Sequence, residues 1–87
     1  MAYQIKILPV ALRQLEAIPK PDQKRIKSRI DGLAEDPWPA GVKHLRSKVE
    51  LLRIRSGHYR IIYTVERGRL TVLIIKIGHR REVYRHI

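Results

Sequence analysis

With 87 residues, 44% of them hydrophobic and none cysteine, the chain has material for one domain over residues 1–87, without disulfides or thiolate metal sites. Nineteen Lys and Arg against eight Asp and Glu leave a formal net charge of +11, a field that attracts RNA, DNA, an acidic protein or an anionic membrane without ranking them. Residues 1–12 (MAYQIKILPVAL) lack the charged region and long apolar run of a signal peptide, and Lys76 interrupts the richest apolar stretch, Leu70–Ile77, so a soluble cytoplasmic protein with no membrane partner is expected.

Tyr3, Ile5 and Ile7 alternate with Gln4 and Lys6, as in a half-buried strand that Pro9 ends. Pro9 also suits the first turn of a helix, in which Leu8, Leu12, Leu15 and Ile18 recur at helical spacing until Pro19. Asp22 is the candidate N-cap of a second helix with an apolar stripe of Ile26, Ile30 and Leu33, stopped by Asp36-Pro37. The segment from Pro37 to Lys43 reads as a linking loop. From Glu50 onward Leu, Ile, Val and Tyr dominate, with turns at Ser56-Gly57 and Arg67-Gly68, giving two hairpins. Arg80 to Ile87 form a final short helix or a tail. The order β-α-α-β-β-β predicts an α+β domain, an antiparallel sheet packed against a two-helix hairpin.

If Ser56 and Gly57 are the central turn residues, Arg55 faces His58, Ile54 faces Tyr59 and Arg53 faces Arg60. Leu52, Ile54, Tyr59 and Ile61 then point toward the helices, and Arg53, Arg55, His58 and Arg60 point away. Like charges across a strand pair cost stability, so gathered arginines ask for an anion, and the guanidinium fork matches phosphate oxygens. Beyond this hairpin the last strand delivers Gly78-His79-Arg80-Arg81 and then Tyr84.

No His pair has the spacing of a helical zinc site, and neither GxSxG nor a glycine-rich phosphate loop occurs, so no metal or organic cofactor is expected. RNA carries its own nucleophile, the 2′-hydroxyl, which attacks the adjacent phosphorus once a base takes its proton and cations stabilise the charged intermediate. Arginine suits the second task and, with a pKa above ~12, not the first. Tyr84 is the candidate base, because neighbouring cations lower a phenol's pKa; His79, His58 and His86 are alternatives. On the residues alone, nuclease activity and passive nucleic-acid binding both stay open.

The stretch Leu52-Arg53-Ile54-Arg55-Ser56-Gly57-His58-Tyr59-Arg60-Ile61-Ile62-Tyr63, followed by Ile77-Gly78-His79-Arg80-Arg81-Glu82-Val83-Tyr84, resembles the RelE/ParE toxin superfamily, and within it the RelE-like mRNA interferase branch. The resemblance spans nearly the whole chain, and its specific part is a basic strand ending in Gly-x-Tyr-Arg with Gly-x-Arg and Tyr further on. It implies the toxin of a type II toxin–antitoxin system, a metal-independent endoribonuclease that cleaves mRNA in the ribosomal A site and so inhibits translation. The implied partners are the ribosome, mRNA and a cognate antitoxin in a hetero-oligomer. Residue by residue, Arg60 matches the arginine that stabilises the transition-state phosphate, Arg80 the acid or leaving-group stabiliser, and Tyr84 the base or orienter. Arg53 and Arg55 match residues that bind substrate and rRNA, and His58, His79 and Arg81 join them as basic neighbours. Where members of the branch carry lysines on this strand, the chain has Leu51 and Arg53, which leaves proton abstraction to Tyr84; the Arg80 to Tyr84 spacing is one residue tighter.

Two other readings come from different classes. A ParE-like toxin inhibits DNA gyrase without hydrolysis and shares the fold, but generally lacks the arginine and tyrosine set kept here as Arg60, Arg80 and Tyr84. A passive basic RNA-binding module causes no growth arrest.

Overall fold

The structure, a computed structural model, describes residues 2–45, 48 and 50–79. The final helix or tail expected over Arg80–Ile87 lies outside those residues. In chain order the elements are β1 (Gln4–Ile7), α1 (Pro9–Glu16), α2 (Lys20–Gly32), β2 (Lys43–Leu45), β3 (Leu51–Ser56), β4 (Tyr59–Glu66) and β5 (Thr71–His79). The strands form one sheet in the order β1-β5-β4-β3-β2. From β2 to β5 neighbours run antiparallel, and β1 adds to the edge of β5 in parallel, so the expected antiparallel sheet is in fact mixed.

Both helices carry a proline in their first turn. Pro9 opens α1 behind an extended Leu8, and Pro21 stands in the first turn of α2, where its missing N–H costs nothing and its fixed φ fits the helix. For that reason α2 begins at Lys20, and Asp22, expected as its N-cap, lies inside the first turn, 3.5 Å from Arg25, where its charge complements the helix dipole. On α1 the buried stripe is Ala11 and Leu15 with Ile18 beside them, while Leu12 turns to solvent at 43% exposure. The two helices are tied by Gln23 Nε2, which donates to the Leu15 carbonyl at 2.9 Å.

Ala11, Leu15, Ile26, Ile30 and Leu33 pack on Leu52, Ile54, Ile61, Tyr63, Val72, Ile74 and Ile77 from the sheet, with Ile5 and Ile7 of β1 against this core. Burying such a side chain contributes roughly 1.5–3 kcal/mol, so the apolar stripes of helices and strands hold each other in place. Where β1 has ended, the Ile77 N–H donates to Gln14 Oε1 of α1 at 2.8 Å, so a helix side chain takes over from the missing strand.

The first hairpin turns one step later than its sequence suggests. Ser56 pairs with Tyr59, so Gly57 and His58 are the central residues. Only Gly57, at φ 59°, needs a positive φ, as in a turn with glycine first, whereas a Ser56-Gly57 turn of the favoured type would force Ser56 into that region as well. The second connection is longer than a two-residue turn: a 3-10 turn over Arg67–Arg69 is closed by Leu70 in the left-handed conformation. The three-residue strand β2, at the end of what reads as loop, pairs with β3 through Lys43–Arg53, His44–Leu52 and Leu45–Leu51.

Tyr63 is fully buried and its hydroxyl donates to the Pro37 carbonyl at 2.7 Å, anchoring the connection after α2 to the centre of the sheet. Burial pushes the phenol's pKa well above its ordinary range; Arg29 opposes the shift and Asp36 adds to it. A pKa raised on folding stabilises the fold below the unfolded value of ~10, and that contribution is lost as pH rises beyond it. Tyr63→Phe leaves the Pro37 carbonyl without its donor and is expected to cost about 1–3 kcal/mol in chemical denaturation at neutral pH. The difference between wild type and variant should shrink above pH ~10, where the phenol's pKa begins to oppose folding; a difference constant with pH would contradict this account.

Candidate nucleic-acid interface

Alternation along β3 and β4 sends Leu52, Ile54, Tyr59, Ile61 and Tyr63 to the helix side and Arg53, Arg55, Arg60 and Ile62 to the other. The arginine face of the sequence reading is therefore present. Its pairing differs: Arg55, not Arg53, stands directly opposite Arg60, because moving the turn shifts the register by two residues and leaves each residue on its face. Gly78 is the neighbour of Arg60 on β5, so that position adds no side chain beside it. On the helix side, Arg29 Nε donates to the Arg55 carbonyl at 3.2 Å and ties α2 to the end of β3.

Arg53 lies one row further along, half-buried with its Nε covered. Its cross-strand neighbours are Lys43 on β2 and Ile62 on β4, and Ile62 in turn pairs with Lys76 on β5. Lys43 and Lys76 were not identified as site residues from the sequence. Lys43 belongs to a strand too short to show alternation, and Lys76 reads only as a break in an apolar run. Below this row Leu51 and Ile62 are buried with Leu45 and Ile75 against them, a small apolar cluster on the face opposite the helices.

His58 does not join the arginine face. It lies in the turn with its ring centroid 5.7 Å from that of His79, and His79 meets the Tyr59 ring edge-on at 5.3 Å. His79 pairs with Tyr59 and so continues the helix side of the sheet. The two histidines are brought together with each other rather than with the arginines. Arg80, Arg81 and Tyr84 lie outside the described residues. Among the described residues no group of three His, Cys, Asp or Glu is gathered as a metal would need, and no helix is long and apolar enough to cross a membrane.

A two-helix layer on one face of a mixed sheet, with opposed arginines on the other, defines a small basic α+β protein of the RelE toxin fold. The chain belongs to the ParE toxin family of type II toxin–antitoxin systems, whose family model matches residues 5–84, and thus to the RelE/ParE toxin superfamily. It is 27% identical to toxin RelG of Mycobacterium tuberculosis over 86 residues, covering 98% of this chain and 99% of that protein. Among solved structures, a chain of the RelE–RelB complex of Pyrococcus horikoshii superposes with a TM-score of 0.82 at 30% identity, covering 93% of this chain and 98% of its own. A chain of the RelBE2 complex of M. tuberculosis superposes at 0.81 with 26% identity, covering 92% and 93%.

Like charges directly opposite on paired strands repel, as Arg55 and Arg60 are placed. Arg55→Gln should stabilise the fold by roughly 0.2–1 kcal/mol at low ionic strength, a gain that fades as salt screens the repulsion. Thermal denaturation at two salt concentrations checks this; a variant less stable at low salt than at high salt, relative to wild type, would reverse the reading.

Proposed function

We propose that this toxin is a ribosome-dependent endoribonuclease that cuts mRNA in the A site and thereby arrests translation. The observation that carries the reading is the face-to-face pair Arg55 and Arg60 beside Gly78, a site of concentrated positive charge that suits a phosphodiester. The RelE and RelG names of its relatives agree with it. In the reaction the 2′-oxygen forms a bond to the neighbouring phosphorus as its proton leaves, the P–O5′ bond breaks, and the 5′-oxygen takes up a proton. Arg60 holds the non-bridging oxygens as their charge grows. Arg80, assigned by resemblance, stabilises or protonates the leaving oxygen, and Tyr84, assigned the same way, takes or orients the first proton. Arg53 and Arg55 bind substrate and rRNA phosphates, with His58, His79 and Arg81 as outlying contacts and no metal or organic cofactor required.

Arg60→Ala is expected to lower single-turnover cleavage of mRNA on programmed ribosomes by about 100-fold or more, with a much smaller loss of ribosome affinity. Tyr84→Phe keeps the ring and removes only the hydroxyl, so it should stay bound and nearly inactive. Full activity in both variants would sink the nuclease site, and lost binding without a cleavage defect at saturation would make it a docking surface.

The family model's own description favours one second reading, a ParE-like toxin that inhibits DNA gyrase by binding. Brief induction separates the two: phased mRNA 5′ ends and failing translation support the nuclease, whereas failing supercoiling with intact transcripts supports the gyrase inhibitor.

A cognate acidic antitoxin, folding on contact with this chain of net charge +11, is the proposed partner in a hetero-oligomer. Related chains come from RelE–RelB complexes. Co-expression with the neighbouring open reading frame should abolish toxicity and yield a copurifying complex; a neighbour that neither binds nor protects would count against it.

A further inference from the structure

Strand β5 carries one extra residue against β4. Ile62 pairs with Lys76 and Tyr63 with Ile74, leaving Ile75 unpaired in a β-bulge. Ile74 and Ile77 both reach the helix-side core, while Ile75 lies with Leu51 and Ile62 on the opposite face. Strict alternation back from Ile77 would have sent Lys76 and Ile74 to the same face, away from the core. The bulge therefore keeps Lys76 on the arginine face and still returns Ile74 to the core, and bulges commonly serve to re-aim a side chain next to a functional site.

Lysine is disfavoured inside strands. β1 pairs with β5 only as far as Ile74, so at Lys76 the strand is bordered by β4 on one side, and Lys76 stands on the arginine face. Across the face, Lys43, Arg53, Ile62 and Lys76 form one row and Arg55, Arg60 and Gly78 the next. No position in either row is Asp or Glu. The rows lie ~7 Å apart, two residues along a strand, a separation of the order of neighbouring phosphates on a single strand.

We propose that Lys76, with Arg53 and Lys43, forms a second phosphate-binding row that takes the RNA phosphodiester adjacent to the one facing Arg55 and Arg60. The row rests on the nuclease reading only for which phosphate is cut. Ile62, fully buried, stands between Arg53 and Lys76 in this row, so no polar side chain separates the two cations along it. The phosphate can come from a bound single strand or from ribosomal RNA.

The test uses the purified full-length toxin and two probes, a fluorescent 2′-O-methyl oligoribonucleotide that cannot be cut and vacant 70S ribosomes, each titrated across a salt series. Lys76→Gln should weaken oligonucleotide binding roughly fivefold at low salt and reduce the slope of log affinity against log salt by about 0.7, one phosphate contact on a single strand. Lys76→Arg should restore both, which excludes a folding defect, and Lys24→Gln on exposed α2 should change neither. A defect on ribosomes alone supports the row with ribosomal RNA as the source. Unchanged affinity and slope on both probes, or a defect confined to antitoxin binding, overturns it. Cleavage by Arg60→Ala keeps the two ideas apart: a wild-type rate there with a Lys76 slope defect removes the nuclease site and leaves the row standing.

Discussion

The helices cover one face of the sheet, and β3, β4 and β5 each put most of their apolar residues on that face. Leu52, Ile54, Ile61, Tyr63, Val72, Ile74 and Ile77 meet Leu15, Ile26, Ile30 and Leu33 there, and none of these residues exceeds 2% exposure. Since side chains alternate, burying Ile54 and Ile61 sends Arg53, Arg55 and Arg60 to the opposite face whatever their mutual repulsion. A few tenths of a kcal/mol lost between opposed arginines is small beside the burial of one isoleucine. The core thus holds a cationic surface that would disperse if its side chains were free to choose.

The bulge at Ile75 extends the same logic along β5. Ile74 and Ile77 are three residues apart, an odd interval that a regular strand cannot bury on one side. One unpaired residue resolves the conflict, and it also decides that Lys76 and Gly78 stand with the arginines while His79 lies with Tyr59 on the helix side. Core packing and the make-up of the basic face are therefore set by one backbone irregularity.

In the proposed reaction this arrangement divides the chemistry between sheet and C-terminal residues. A rigid sheet holds guanidinium groups in place before substrate arrives, which is what charge stabilisation requires. Proton transfer needs groups that titrate near neutral pH, and neither Arg55 nor Arg60 can supply it. His58 and His79 contact each other at the hairpin turn instead of lining the arginine face. In this proposal the acid–base chemistry is assigned to residues following β5, Tyr84 among them. The basic field also suits an acidic antitoxin, so the features that recruit RNA favour the proposed inhibitor as well.

The order of both helices and of four of the five strands, and the face that carries Arg53, Arg55 and Arg60, were legible in the sequence, because a period of 3.6 or of two residues survives errors at element ends. Even the misplaced turn left Arg53, Arg55 and Arg60 on their correct face, since the register moved by an even number of residues. Tertiary structure alone decided that Arg55 rather than Arg53 opposes Arg60, because that depends on which residue takes the positive φ at the turn, and Gly57 could have occupied either central position. It also decided the pairing of β2, too short to show alternation, and the parallel addition of β1, which sets the half-buried Ile5 and Ile7 beside β5. The bulge left no signal in the sequence either. Ile74 and Ile75 are chemically identical, and only the packing of α1 and α2 on one side determines which of them the core receives and where Lys76 points.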